Sequence, residues 1–203
     1  MTGDGVLVPA RDGRGDFEDR GSRFLGSVFR MPDEAAFVAA LAGARAKHPK
    51  ARHHCWAWRL ESTHRFHDDG EPGGTAGRPM LQVLDSAGLV QAGVIVVRYF
   101  GGVKLGTGGL VRAYTAATQR ALLDAGTLFL EARERWRVRL PFERLGLRAE
   151  LEALCGGLVW TEAAFDEAGW TGTAELPVSA SATLAELLVE HGGGAVSWEK
   201  AAS

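Results

Sequence analysis

The sequence predicts an α+β protein in two domains. Three observations carry that prediction. The chain has 203 residues, enough for one large core or two small ones. Strand-type alternation and helix-type periodicity interleave along its whole length. The pattern also changes near residues 127–136, which divides the chain into domains at 1–131 and 132–203. A hydrophobic content of 46% and a charged content of 24% are ordinary for a globular protein and exclude disorder and a coiled coil. A chain this long buries roughly 70% of its unfolded surface, so it needs no disulfide or metal staple.

Residues 1–21 are glycine-rich and charged, and read as a frayed tail or an edge strand. The run RFLGSVFRM (23–31) reads as a strand. Asp33 then offers an N-cap to a helix whose apolar face is Phe37, Val38 and Leu41, and Pro49 ends it. HHCWAWRL (53–60) alternates and is aromatic-rich, as a strand would be. Residues 61–79 read as a polar loop of that whole length, which in a compact domain points to function or disorder. LVQAGVIVVRYF (89–100) contains the continuous apolar run of a strand buried on both faces. GGVKLGTGG (101–109) then opens a helix with Leu110, Tyr114, Ala117, Ala121 and Leu122 on its apolar side, stopped at Gly126.

Beyond the boundary the order is strand 136–142, helix 143–155, strand 157–166, strand 169–179, helix 183–191 and strand 194–199. Thr183 and Glu186 give a capping-box signature, and Gly192 closes the helix. This βαββαβ order is the ferredoxin-like arrangement. Trp136, Trp160, Trp170 and Trp198 lack the pattern of base-stacking sheets, which favours packing over nucleic-acid contact.

Charge and cysteine usage narrow the function classes. The net charge is −2, which argues against coating nucleic acid by bulk charge but leaves room for a local basic groove. Residues 1–131 carry +2 and the remainder −4. Two cysteines far apart, Cys55 and Cys155, build neither a disulfide framework nor a zinc-type pair. No stretch approaches 18 apolar residues and the N-terminus has no apolar signal core, so no membrane association is expected and the compartment reads as cytoplasm.

Glycine is the compositional outlier, at 27 residues. Residues 70–109 hold 11 of them, where the usual share predicts about 3. Nine of those 11 fall in two loops. The first, DDGEPGGTAG (68–77), packs Asp68, Asp69 and Glu71 among glycines, with Thr75 beside them. Such carboxylates suit a hard cation such as magnesium or acid/base work. They equally suit a rigid turn in which acids cap backbone amides. In the second, a buried strand ends at Arg98, runs through Gly101, Gly102, Lys104, Gly106, Thr107, Gly108 and Gly109, and enters a helix that carries Arg112. Unobstructed amides at a helix N-terminus make an anion site. Thr107 would cap the helix or donate to a phosphate oxygen, and Arg98, Lys104 and Arg112 would supply charge. The spacing fits neither a Walker A loop nor a dinucleotide fingerprint. The alternative is a tight strand-to-helix corner used for packing. His53 and Cys55 share one strand face, but two ligands are too few for zinc, so no metal site is assigned. No catalytic residue is identified.

The paired signature DDGEPGGTAG and VVRYFGGVKLGTGGLVRAY (96–114), with His53 in ARHHCWAW and the Ser22-Arg23-Phe24 stretch, strongly resembles the YigZ/IMPACT family. The resemblance covers residues 20–125, and 136–200 resemble the appended domain of its bacterial branch. It implies an N-terminal βαβ sandwich of left-handed type, like the second domain of ribosomal protein five. It also implies a ferredoxin-like C-terminal domain similar to the fifth domain of elongation factor G. Both likenesses point to translation regulation and to RNA or a ribosome-associated surface as partner. The translational-control role of eukaryotic relatives is tied to a further domain and is not carried over. Arg52 stands where a small hydroxyl residue is usual, and Gly73 where serine is usual. Two alternatives remain. One is a magnesium-dependent enzyme acting on a phosphorylated small molecule, because folds of this type also host small-molecule kinases. The other is a protein–protein adaptor.

Overall fold

A computed structural model describes residues 5–201 as a two-domain α+β protein. One unit spans Val6–Leu130 and a second begins at Glu131. In the first, β1 (Gly5–Pro9) pairs with β7 (Thr127–Glu131) in a small sheet. The main sheet has five strands in the order β2 (Gly13–Asp19), β3 (Ser22–Arg30), β6 (Ala92–Tyr99), β4 (His53–Arg59) and β5 (His64–His67), with every neighbouring pair antiparallel. It follows that β3 and β4 run parallel, as do β5 and β6. Helix α1 (Glu34–Lys47) connects the first pair and α2 (Gly77–Ser86) the second, each crossing over one intervening strand.

Strand alternation decides which residues face which helix. Phe24, Val28, Cys55, Ala57, Val94 and Val96 pack on α2 and on α3 (Gly106–Ala125). Met31, Trp58, Ile95 and Val97 pack on the α1 side around Phe37. Ala113, Ala117, Ala121 and Ala125 line the face of α3 that meets the sheet, and the strands beneath carry glycine. A Cβ at Gly15 would lie 2.2 Å from the backbone nitrogen of Ala121, so the close seat of α3 requires glycine there. Part of the glycine excess therefore serves packing.

The second unit orders its strands β11 (Ser197–Lys200), β8 (Arg133–Leu140), β10 (Gly169–Pro177) and β9 (Val159–Asp166), all antiparallel. With α4 (Gly146–Leu154) and α5 (Ser181–Gly192) between them, this is the ferredoxin-like arrangement. Trp170 is fully buried among Leu140, Leu151, Leu176, Leu184 and Leu188, with Trp160 edge-on to it at 4.8 Å. Among the exposed charges, Arg133, Arg135 and Arg139 pair with Glu175, Glu162 and Asp166.

Several local expectations are corrected. The stretch 61–79 is not a continuous loop, because β5 lies within it and α2 begins at Gly77. The 1–21 segment contributes β1 and β2 over its described part. Thr183 does not cap α5, which starts two residues earlier at Ser181 without a side-chain cap. Thr107 does not cap α3 either, since that helix starts at Gly106 after Leu105. Asp33 does cap α1, accepting the Ala36 amide at 2.8 Å. No helix of the described residues is long and apolar enough to cross a membrane.

Candidate anion-binding site

Register brings both glycine loops to one end of the main sheet. Arg98, near the end of β6, sits opposite Phe24 near the start of β3 and His53 at the start of β4. The loop after β6 leads directly into α3, so that helix begins at this end. The 68–77 loop lies against His53 and His54, which places the start of α2 here too.

The first loop is closed on itself. Asp68 accepts three backbone N–H bonds: Gly74 at 2.8 Å through one oxygen, Ala76 and Gly77 at 2.9 and 2.8 Å through the other. It thereby satisfies amides at the start of α2 that no local side chain reaches. Asp69 (φ +43°) accepts the His54 amide at 2.7 Å, while its carbonyl meets His53 Nδ1 at 2.9 Å. Thr75 is buried and donates to the Pro72 carbonyl. Glu71 turns inward. Its side chain is 4% exposed and accepts from Arg98 and from the Tyr114 hydroxyl, each at 2.7 Å. Cys55 Sγ lies 3.2 Å from that hydroxyl and 3.0 Å from the Asp68 carbonyl. Burial pushes the Cys55 thiol and the Tyr114 phenol far above their ordinary ranges, so both stay protonated donors. A protonated, buried thiol is no nucleophile. Burial likewise lowers the pKa of His54 below its ordinary 6.5.

The three carboxylates thus point to separate partners, and no cluster of three or more metal-ligating side chains occurs among the described residues. Asp68, Asp69, Glu71 and Thr75 are each hydrogen-bonded within the loop or to the strands and helix beside it.

Arg98 also departs from expectation. It is not an exposed phosphate contact. Its side chain is 7% exposed, paired with Glu71, 3.4 Å from Ser22 Oγ and stacked over Phe24. Gly101 serves packing, because its amide donates to Ser22 Oγ at 3.1 Å and a Cβ would overlap the Gly21 backbone. Gly109 is buried against Leu105.

The rest of the second loop is open. Gly102, Lys104, Gly106, Thr107, Gly108 and Arg112 are all exposed. Gly102 has φ +90°, a conformation that glycine alone adopts without strain, and a Cβ there would project into open space. Among the described residues, Lys104 and Arg112 make no ion pair and no side-chain hydrogen bond, whereas Arg98 does both. Topology adds neighbours to this end: Arg20 in the β2–β3 turn, Lys47 at the end of α1, and Lys50 and Arg52 just before β4. All four are exposed and none makes an ion pair among the described residues. Asp19, the last residue of β2, flanks the same turn, and Glu18 is taken by Arg23. The sequence signal for Ser22, Cys55 and Tyr114 was slight: each is a polar residue on an otherwise apolar, inward-facing position.

Comparison with known proteins agrees with this organisation. Residues 20–122 match the Impact N-terminal domain. The chain is 42% identical over 126 residues to the IMPACT family member YigZ of Escherichia coli, a match covering 60% of this chain and 62% of that protein. It is 44% identical over 125 residues to an IMPACT family member of Thermus thermophilus, covering 62% and 68%. The match to the Escherichia coli protein thus spans less than two thirds of its length. A crystal structure of a hypothetical protein superposes with a TM-score of 0.69 at 31% identity, covering 98% of both chains. A domain match over half the chain that contains both glycine loops shows that the protein belongs to the YigZ/IMPACT family.

Proposed function

We propose that the protein binds RNA through its phosphate backbone at the open glycine loop, in translation regulation and in the cytoplasm. One observation carries the reading. Six exposed cations without ion-pair partners among the described residues (Arg20, Lys47, Lys50, Arg52, Lys104 and Arg112) gather at one end of the sheet in a chain whose net charge is −2. Arg112 projects from the first turns of α3, whose exposed amides favour an anion. Gly106 and Gly108 leave the backbone accessible to phosphate oxygens, and Thr107 adds a hydroxyl donor.

The magnesium-dependent enzyme reading draws less support from the placement of these carboxylates. Glu71 is engaged by Arg98 and Tyr114, and Asp69 by the His54 amide. A cavity of about 750 Å³ lies between β2, β3 and α1, and no residue lining it belongs to either loop.

The test is fluorescence anisotropy with a labelled RNA oligonucleotide between 50 and 200 mM salt, comparing wild type with Lys104→Glu. The expected result is weaker binding by the variant, with the slope of log K against log salt reduced by about 1 or more. Equal, weak binding by both proteins would sink the proposal.

A further inference from the structure

Phe100 is a large exposed aromatic beside the open glycine loop. It follows β6 directly and leads into Gly101 and Gly102, and its side chain is left out of the core, at 48% exposure. One side of the ring is held. The Arg98 guanidinium lies 5.5 Å from its centroid, and that guanidinium is fixed in turn by Glu71 at 2.7 Å and by the Phe24 ring at 5.3 Å. The ring therefore rests on a buried cation that is paired with Glu71. Arg98 is already engaged by the protein, so it contributes to a partner through this support. Next along the chain, Gly102 presents no side chain, and Lys104 supplies a free cation two residues later. Val103, also half exposed, adds apolar surface beside it.

An exposed ring beside unpaired cations has little use for a duplex, whose base faces are stacked inside the helix. It suits a single strand, whose bases are free to stack on aromatic side chains while the backbone follows positive charge. Resting on the reading of this end as an RNA site, we infer that Phe100 is a stacking platform for an unpaired nucleobase. The partner class is then single-stranded RNA, with Lys104 and Arg112 taking the flanking phosphates.

The experiment measures anisotropy of a 12-nucleotide single-stranded RNA and a 12-base-pair RNA duplex with the full chain, for wild type, Phe100→Leu, Phe100→Trp and Lys104→Glu. Wild type is expected to favour the single strand. Phe100→Leu should weaken single-strand binding about 5- to 30-fold, leave the salt slope unchanged and leave duplex binding unaltered. Phe100→Trp should hold or strengthen it, which separates stacking from a folding defect. Loss on Lys104→Glu with no effect of Phe100→Leu would overturn the stacking platform while leaving phosphate binding in place. Duplex bound as tightly as single strand would also overturn it. No RNA binding by wild type would overturn both proposals, and a protein partner would then be the object at this surface.

Discussion

The two loops share a glycine excess and enter helices at the same end of one sheet, yet they differ in what they do with their backbone. In the 68–77 loop the chain supplies its own anions: Asp68 binds the amides at the start of α2, and Glu71 is drawn inside to Arg98 and Tyr114. In the 102–108 segment no carboxylate is present, the helix start is uncapped by any side chain, and Lys104 and Arg112 stay free. A glycine loop is thus open to an external anion only where the sequence withholds an internal one. Acids in such a loop are weak grounds for a metal site until the amides they face have been accounted for.

The contrast is broken most forcefully at Glu71. Glu71→Ala leaves the buried Arg98 guanidinium without a counterion, so denaturant unfolding should show a loss of about 3–5 kcal/mol. Glu71→Gln keeps an acceptor for Tyr114 and should lose less. Asp68→Ala comes next. It strands the buried Ala76 amide and its neighbours, for a loss of about 1–3 kcal/mol in the same measurement.

A smaller effect is expected from pH. Cys55 and Tyr114 ordinarily ionise near 9.0 and 10.0, and burial raises both in the folded protein. The unfolded chain then releases protons that the folded chain keeps. Stability from these groups is fully present below about pH 9 and declines as the pH rises beyond it. Thermal midpoints from pH 7 to 10.5 should fall less steeply in Cys55→Ala than in wild type. Smallest of all, Lys104→Glu should change unfolding by no more than about 0.5 kcal/mol, because the side chain touches nothing that holds the fold. A large loss there would erase the difference between the loops.

Much of this was legible in the sequence. The aromatic alternation of 53–60 and the apolar run before Arg98 located β4 and β6, and Asp33, Pro49 and Gly126 bounded their helices as expected. The ferredoxin-like order was readable from periodicity alone. Short exposed strands were not: β5 has four exposed residues and no buried face to give it a period. Helix α2 was hidden for a different reason. Its cap is Asp68, eight and nine residues before the amides it satisfies, so no local cap marks its start. The same long-range pairing hid the engagement of Arg98, because Glu71 lies 27 residues earlier and meets it only across the folded sheet.

The difference between the loops is read most directly by titrating a single-stranded RNA oligonucleotide into ¹⁵N-labelled protein and following the backbone amides. The expected shifts fall on Gly102, Gly106, Thr107 and Gly108, with Gly70, Gly73 and Gly74 unmoved. Shifts centred on the 70–74 amides, or none in the 102–108 segment while RNA binds elsewhere, would contradict an anion site at the open loop.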